Sequence, residues 1–150
     1  MEGKVDAWVA SIGTGGTFLG IAEAVKKENQ DVMTIGVQPE DAPIIELTKS
    51  GLLKRIFELF GMKKMKLLTE IILEKGMPEK LVTVSNKDAV DMAYRLCMEE
   101  GLFCGMSSDA NVYAAIQVAK DLGKDVNVVT VLVDRRDRYF SEHPNEHYII

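Results

Sequence analysis

Histidine, cysteine and tryptophan are scarce in this chain, with two, two and one in 150 residues. The cysteines, Cys97 and Cys104, match no metal-ligand spacing and are too few for a disulfide framework, so no metal site is predicted and a reduced interior is the simpler reading. Long apolar runs are missing, which argues against a transmembrane span. The first residues lack the charged and apolar regions of a signal peptide. An excess of positive charge is missing as well. Lys and Arg number 18 against 23 Asp and Glu, for a net charge of −5. That balance weighs against nucleic acid or an anionic membrane as the main partner. What is present, 47% hydrophobic and 27% charged residues, is enough to bury a real core. The expectation is one cytoplasmic α/β domain over residues 1–150, without repeats or low-complexity tracts.

Apolar runs and amphipathic stretches alternate along the chain. "VDAWVAS" (5–11) reads as a buried strand, and "TFLGIAEAVKKENQ" (17–30) as a helix. "VMTIGV" (32–37) is a second strand, stopped by Pro39, and "KLVTVS" (80–85) a third. Ser85 and Asp88 make an N-cap pattern for a helix with Ala89, Val90, Ala93, Leu96 and Cys97 on its apolar face. "DANVYAAIQVAKDL" (109–122) is a helix closed by Gly123, and the β-branched "VNVVTVLV" (126–133) a fourth strand. Strand and helix alternating in this way predict a three-layer αβα fold with a mostly parallel sheet.

A helical insertion at about 44–78 interrupts the alternation. Leu53, Ile56, Phe57 and Phe60 suggest one amphipathic helix, and Leu67, Leu68, Ile71 and Ile72 another. Both read best as cover for the sheet, with Met62 and Met65 as packing residues. His143 and His147 lie four apart, but Pro144 between them favours a polar tail over a metal site.

The chemistry concentrates in "SIGTGGTFLG" (11–20). A glycine-rich turn from strand to helix presents bare N–H groups at the positive end of the helix, which makes an anion site. Thr14 and Thr17 add hydroxyl donors. A tight turn with glycines for sterics alone is the blander reading. The dinucleotide fingerprint G-x-G-x-x-G fails because Phe18 takes the third glycine's place, and without a lysine after the loop it is no P-loop. The phosphate of another cofactor fits better. An alternative is a nucleotide or S-adenosylmethionine binding domain, with Glu40 or Asp41 meeting a ribose.

Four segments together resemble the cysteine synthases and related fold-type II pyridoxal-phosphate enzymes. "GKVDAWVASIGTGGTFLG" is similar to their phosphate cup and "IGVQPE" to their I-G-V-E-P strand end. "GLFCGMSSDANVYAAIQVAKDLG" is similar to G-L-x-x-G-x-S-S-G-A-N-x-x-A-A, and "VVTVLVDRRDRYFS" to V-V-x-x-L-P-D-S-G-D-R-Y-L-S. The segments follow in family order. The resemblance implies pyridoxal 5'-phosphate as cofactor and cysteine formation from O-acetylserine and sulfide as the activity. It implies that Gly13, Thr14, Gly15, Gly16 and Thr17 hold the cofactor phosphate and that Ser107 hydrogen-bonds the pyridine nitrogen. Taken without the family, Ser107 and Ser108 read as helix N-caps, Cys104 as a small buried residue, and Arg138 and Tyr139 as packing or ion-pairing residues.

The departures from the family pattern carry equal weight. The family's Schiff-base lysine lies well before the glycine loop, and here only Met1 to Ile12 precede it, with Lys4 beyond the wrong end of the strand. No catalytic residue is therefore assigned. The expectation is a C-terminal portion, inactive alone or completed by a missing N-terminal half or a partner chain that supplies the lysine. A homodimer burying the face left open for that half is also expected. Asp109 replaces a family glycine, and Val133, Arg135 and Arg136 replace proline, serine and glycine. Asp109 is predicted to pair with Arg135 or Arg136, near where the family's cofactor ring lies.

Overall fold

In the computed structural model, which describes residues 4–52, 55, 59 and 68–139, the apolar runs form a four-stranded parallel sheet. β1 (Ala7–Ser11) is central, flanked by β2 (Met33–Pro39) and β4 (Val128–Thr130), with β3 (Lys80–Val84) beyond β2. The register sets Val9 beside Ile35 and Thr130. Side chains alternate across the strand. Trp8, Ala10 and Ile12 therefore pack on one face with Phe18, Leu19 and Ala22 of helix α1 (Gly16–Glu28). Helices α2 (Ile44–Lys49) and α3 (Leu68–Glu74) share that face through Ile45 and Ile72. Ala7, Val9, Ile35 and Val37 pack on the other face with Ala114, Ala115 and Val118 of helix α5 (Met106–Leu122). Helix α4 (Asn86–Glu100) lies on this face beside α5. The expected three layers and parallel sheet are present.

Boundaries moved for identifiable reasons. β2 runs through Pro39 rather than stopping before it; β1 ends opposite Val37, so no central neighbour needs the missing proline N–H. The fourth strand is only Val128–Thr130. Beyond it the Val131 carbonyl accepts from Asn111 Nδ2 (3.0 Å) and the Val133 N–H donates to Ser108 Oγ (3.0 Å), so α5 takes over from the ladder. Ser85 caps α4 as expected, its Oγ accepting from the Asp88 N–H at 3.1 Å. The buried stripe of α4 is Met92, Ala93 and Leu96, however, and Val90 faces outward. Of the expected insertion helices, Ile71 and Ile72 pack on the core as predicted. Leu53, Ile56, Phe57, Phe60, Met62, Met65 and Leu67 lie outside the described residues, as do His143 and His147.

Candidate functional site

At the carboxyl end of β1 the chain turns through Gly13, Thr14 and Gly15 into α1. Gly15 is buried in the left-handed region, at φ 92°, where a side chain would be strained. Its carbonyl accepts the first helical hydrogen bond, from Leu19 N–H at 2.9 Å. No side chain caps α1 and no acid lies in its first turn. Its N-terminal N–H groups therefore keep their positive field and face outward. Trp8 holds the turn in place by donating from Nε1 to the Phe18 carbonyl (3.2 Å).

The turn forms one wall of an open cleft of about 200 Å³, lined by Ser11, Gly13, Thr14, Gly16, Thr17 and, opposite, Ser107. A Cβ added at Gly13 would meet no atom within 4 Å, so the backbone borders free space. A neighbouring, mostly apolar cleft of about 180 Å³ shares Ser11 and Ser107 and is walled by Val37, Val84, Met106 and Ala110. All six expected cofactor-binding residues thus border a single cleft at the carboxyl end of a parallel sheet. That is where open α/β sheets bind their ligands.

The two serines play different parts, and neither is an N-cap: α5 begins one turn earlier than expected, with Gly105 as its cap. Adjacent helical residues point about 100° apart. Ser107 consequently faces the cleft, while Ser108 is fully buried with Oγ accepting from Val133 N–H. Asn111, also buried, was not singled out from the sequence. Its Oδ1 accepts from Ser11 N–H (2.7 Å) and its Nδ2 donates to the Val131 carbonyl (3.0 Å). It fixes the ends of β1 and β4 to α5 and so sets the width of the cleft. A signal existed: Ser108, Asn111, Ala115 and Val118 fall on one helical stripe, and polar residues in an otherwise apolar stripe have buried partners.

Asp109 pairs with Arg136 and not with Arg135, which reaches Asp137 on the surface at 3.3 Å. Arg136 also donates from Nε to the Cys104 carbonyl (3.1 Å) and lies 5.9 Å from the centroid of the Phe103 ring. Burial pushes the Asp109 carboxyl up to about 6; Asp134 adds to the rise and Arg136 opposes it. Asp109 Oδ1 is buried without a hydrogen-bond partner, which fits a carboxyl that holds its proton more readily than usual. The pair does not intrude on the cleft: Asp109 is 1% exposed, Arg136 is buried as well, and neither forms part of the cleft wall. A Cβ added at Gly105 would meet the Asp134 carboxylate, which would have to shift. Burial also pushes the Cys104 thiol up, with Asp109 adding to the effect, so this sulfur is a packing group and not a nucleophile.

Residues 1–134 match the family model described as Pyridoxal-phosphate dependent enzyme. This chain belongs to that family. The family's cofactor is pyridoxal phosphate. Cysteine synthase of Staphylococcus aureus is 39% identical over 141 residues, covering 93% of this chain and 44% of the relative. Cysteine synthase B of Campylobacter jejuni is 35% identical, covering 94% and 44%. The structure of an O-acetylserine dependent cystathionine beta-synthase from Helicobacter pylori superposes with a TM-score of 0.73 at 24% identity, over 94% of this chain and 44% of that one; it supports the fold alone. The chain thus spans less than half the length of the curated relatives it matches, and corresponds to a C-terminal portion of them. Family membership takes the place of the nucleotide-binding alternative. Asp41, offered there for a ribose, accepts instead from Asn86 Nδ2 at 3.3 Å. Among the described residues no group of acids, histidines and cysteines could hold a metal ion, and no helix is long and apolar enough to cross a membrane.

The cleft has the features a phosphate-bearing cofactor requires. It has an uncapped helix N-terminus, two hydroxyls, open space above a glycine backbone, and a neutral donor on the opposite wall.

Proposed function

We propose that this chain is the cofactor-cradling portion of a β-replacement enzyme resembling cysteine synthase, acting on O-acetylserine and sulfide. The reading rests above all on one cleft holding the bare α1 N-terminus on one wall and Ser107, set apart from the buried Ser108, on the other. Backbone N–H groups of residues 13–17 and the hydroxyls of Thr14 and Thr17 donate to the phosphate oxygens. The Ser107 hydroxyl donates to the pyridine nitrogen. Bound pyridoxal phosphate supplies an electron sink for charge developing beside the substrate carboxylate. Because Ser107 is a neutral donor, it leaves the nitrogen largely unprotonated and the sink moderate, which suits elimination and replacement at the β-carbon.

The Schiff-base lysine comes, on this reading, from sequence beyond these 150 residues or from a partner chain, and the 150 residues alone turn over no substrate. Leu102, Phe103, Met106, Leu132 and Val133, each between 36% and 42% exposed, supply apolar surface for that complement. Equilibrium dialysis against pyridoxal phosphate and, in parallel, pyridoxine phosphate tests the cup. The second ligand has no aldehyde, so it reports phosphate-cup binding free of adventitious lysine adducts. Saturable binding of both, lost in the Thr14→Ala, Thr17→Ala double variant, is expected. Binding of the aldehyde alone, unchanged in the variant, would overturn the reading.

A further inference from the structure

The ladder between β1 and β4 ends where a side chain enters it. Register pairs Ala7 with Val128 and Val9 with Thr130. The Ala7 N–H donates to the Asn127 carbonyl at 3.2 Å, while the Ile12 N–H turns the other way, to the Val37 carbonyl of β2 at 3.0 Å. Donors toward β4 are therefore the odd-numbered residues of β1, each aimed at the carbonyl one residue before its partner. Continued past Val9, the same rule aims the Ser11 N–H at the Val131 carbonyl. The Asn111 carboxamide takes up both groups, with Oδ1 on the Ser11 N–H at 2.7 Å and Nδ2 on the Val131 carbonyl at 3.0 Å.

Asn111 is thus inserted as an extra rung. Satisfying the backbone does not require it, because the two groups it serves are natural partners of each other. Asn111 is also fully buried, and burying a carboxamide is unfavourable until both its ends are bonded. What the insertion changes is spacing. Two hydrogen bonds in series, with an amide between them, replace one of about 2.9 Å. The cleft opens at this place: Ala10 and Ser11 border it from β1, Val131 and Val133 border it from the chain leaving β4, and Asn111 forms no part of its wall. Helix α1 leaves β1 on one face of the sheet and α5 leads to β4 on the other, so this pair of strands is where a ligand crevice forms in an open α/β sheet.

We propose that Asn111 is a positioning residue whose carboxamide wedges β4 away from β1 and so holds open the crevice that admits the cofactor. The inference rests on the cofactor reading given above. Ser108 assists, because its Oγ takes the Val133 N–H at 3.0 Å and keeps the outgoing chain on α5. Removing the wedge lets the ladder close by one rung. In Asn111→Ala the Ser11 N–H bonds the Val131 carbonyl directly and the crevice narrows. Affinity for pyridoxine phosphate then falls about tenfold or more, the worth of one lost hydrogen bond to a charged group. Leucine has nearly the size of asparagine and cannot bond. Asn111→Leu melts at a lower temperature than wild type, because both backbone groups are orphaned, yet it keeps the strands apart and most of the affinity. A purely structural role would order affinity by stability; a wedge orders it by side-chain size.

Scalar couplings across hydrogen bonds, read by NMR on the isotope-labelled 150-residue chain, test the wedge without ligand. The wild type should couple the Ser11 nitrogen to Asn111 Cγ, and Asn111→Ala should couple it to the Val131 carbonyl carbon. Equilibrium dialysis against pyridoxine phosphate then compares wild type, Asn111→Ala and Asn111→Leu. A coupling from Ser11 to Val131 in the wild type, or none in Asn111→Ala, would overturn the proposal. So would equal affinity of wild type and Asn111→Ala, or an equal loss in both variants. A wild type that binds no ligand would refute the cofactor reading instead, and the couplings test the wedge in either case.

Discussion

Replacing Asp109 by asparagine is expected to erase a pH dependence carried by the wild-type fold. The Asp109 carboxylate is 1% exposed, with Oδ2 on Arg136 and Oδ1 without a partner. Burial raises its pKa from 3.8 to about 6, Arg136 opposing. A folded-state pKa above the unfolded one means that the folded chain binds the proton more tightly. This group therefore favours folding as pH falls from above 6 toward 3.8, and that gain is lost as pH rises through 6. The full span is about 3 kcal/mol, of which roughly half appears between pH 7.5 and pH 5. Urea unfolding of wild type and Asp109→Asn across that interval is the assay. The difference between the two curves cancels every group they share. Asparagine keeps the shape of the side chain and does not titrate. Parallel pH profiles would refute the reasoning. A wild type that loses stability relative to the variant as pH falls would show that Arg136, and not burial, governs this carboxyl.

Three further outcomes follow from particular contacts. Ser108→Ala should cost about 1–2 kcal/mol in denaturant unfolding by orphaning the Val133 N–H, yet leave phosphate-ester affinity intact; Ser107→Ala should do the reverse. Gly36→Ala places a Cβ 2.6 Å from Ile12 Cδ1 and 2.8 Å from Pro78 Cγ, and should lower stability by about 1–3 kcal/mol, read as a fall in melting temperature. Arg136→Met leaves Asp109 buried without its cation, and should destabilise by about 3 kcal/mol at neutral pH. Arg136→Met combined with Asp109→Asn should recover most of that loss in denaturant unfolding, because no uncompensated charge then stays buried.

The frame of the fold was legible because its signals are local. The step from strand to glycine turn to helix at 7–28, the Ser85 cap and the Gly123 stop each show in a few adjacent residues. The direction of neighbouring side chains was not legible. Ser107 and Ser108 are chemically identical, and only the start of α5 at Met106 decides which faces the cleft. Val90 was placed inward and Met92 passed over for a related reason, since a shift of two positions rotates a helix face by about 200°. The early end of β4 depends on Asn111 and Ser108, about twenty residues away in sequence, competing for its backbone. Pairing of Asp109 with one of two adjacent arginines was foreseen because these departures from the family pattern fall together, near where its cofactor ring lies. The choice of Arg136 depends on the Cys104 carbonyl and the Phe103 ring that hold it.

The central claim is that the Gly13–Thr17 turn and Ser107 together cradle a pyridoxal phosphate. A titration of the isotope-labelled chain with pyridoxine phosphate, followed by amide NMR, tests it most directly. Saturable shifts centred on the amides of Gly13, Gly15, Gly16, Thr17 and Ser107 are predicted. Val5, Val25 and Val32, which line a separate depression of about 230 Å³, should stay still. Shifts centred on that depression, or none at the glycine turn at saturating ligand, would contradict the account.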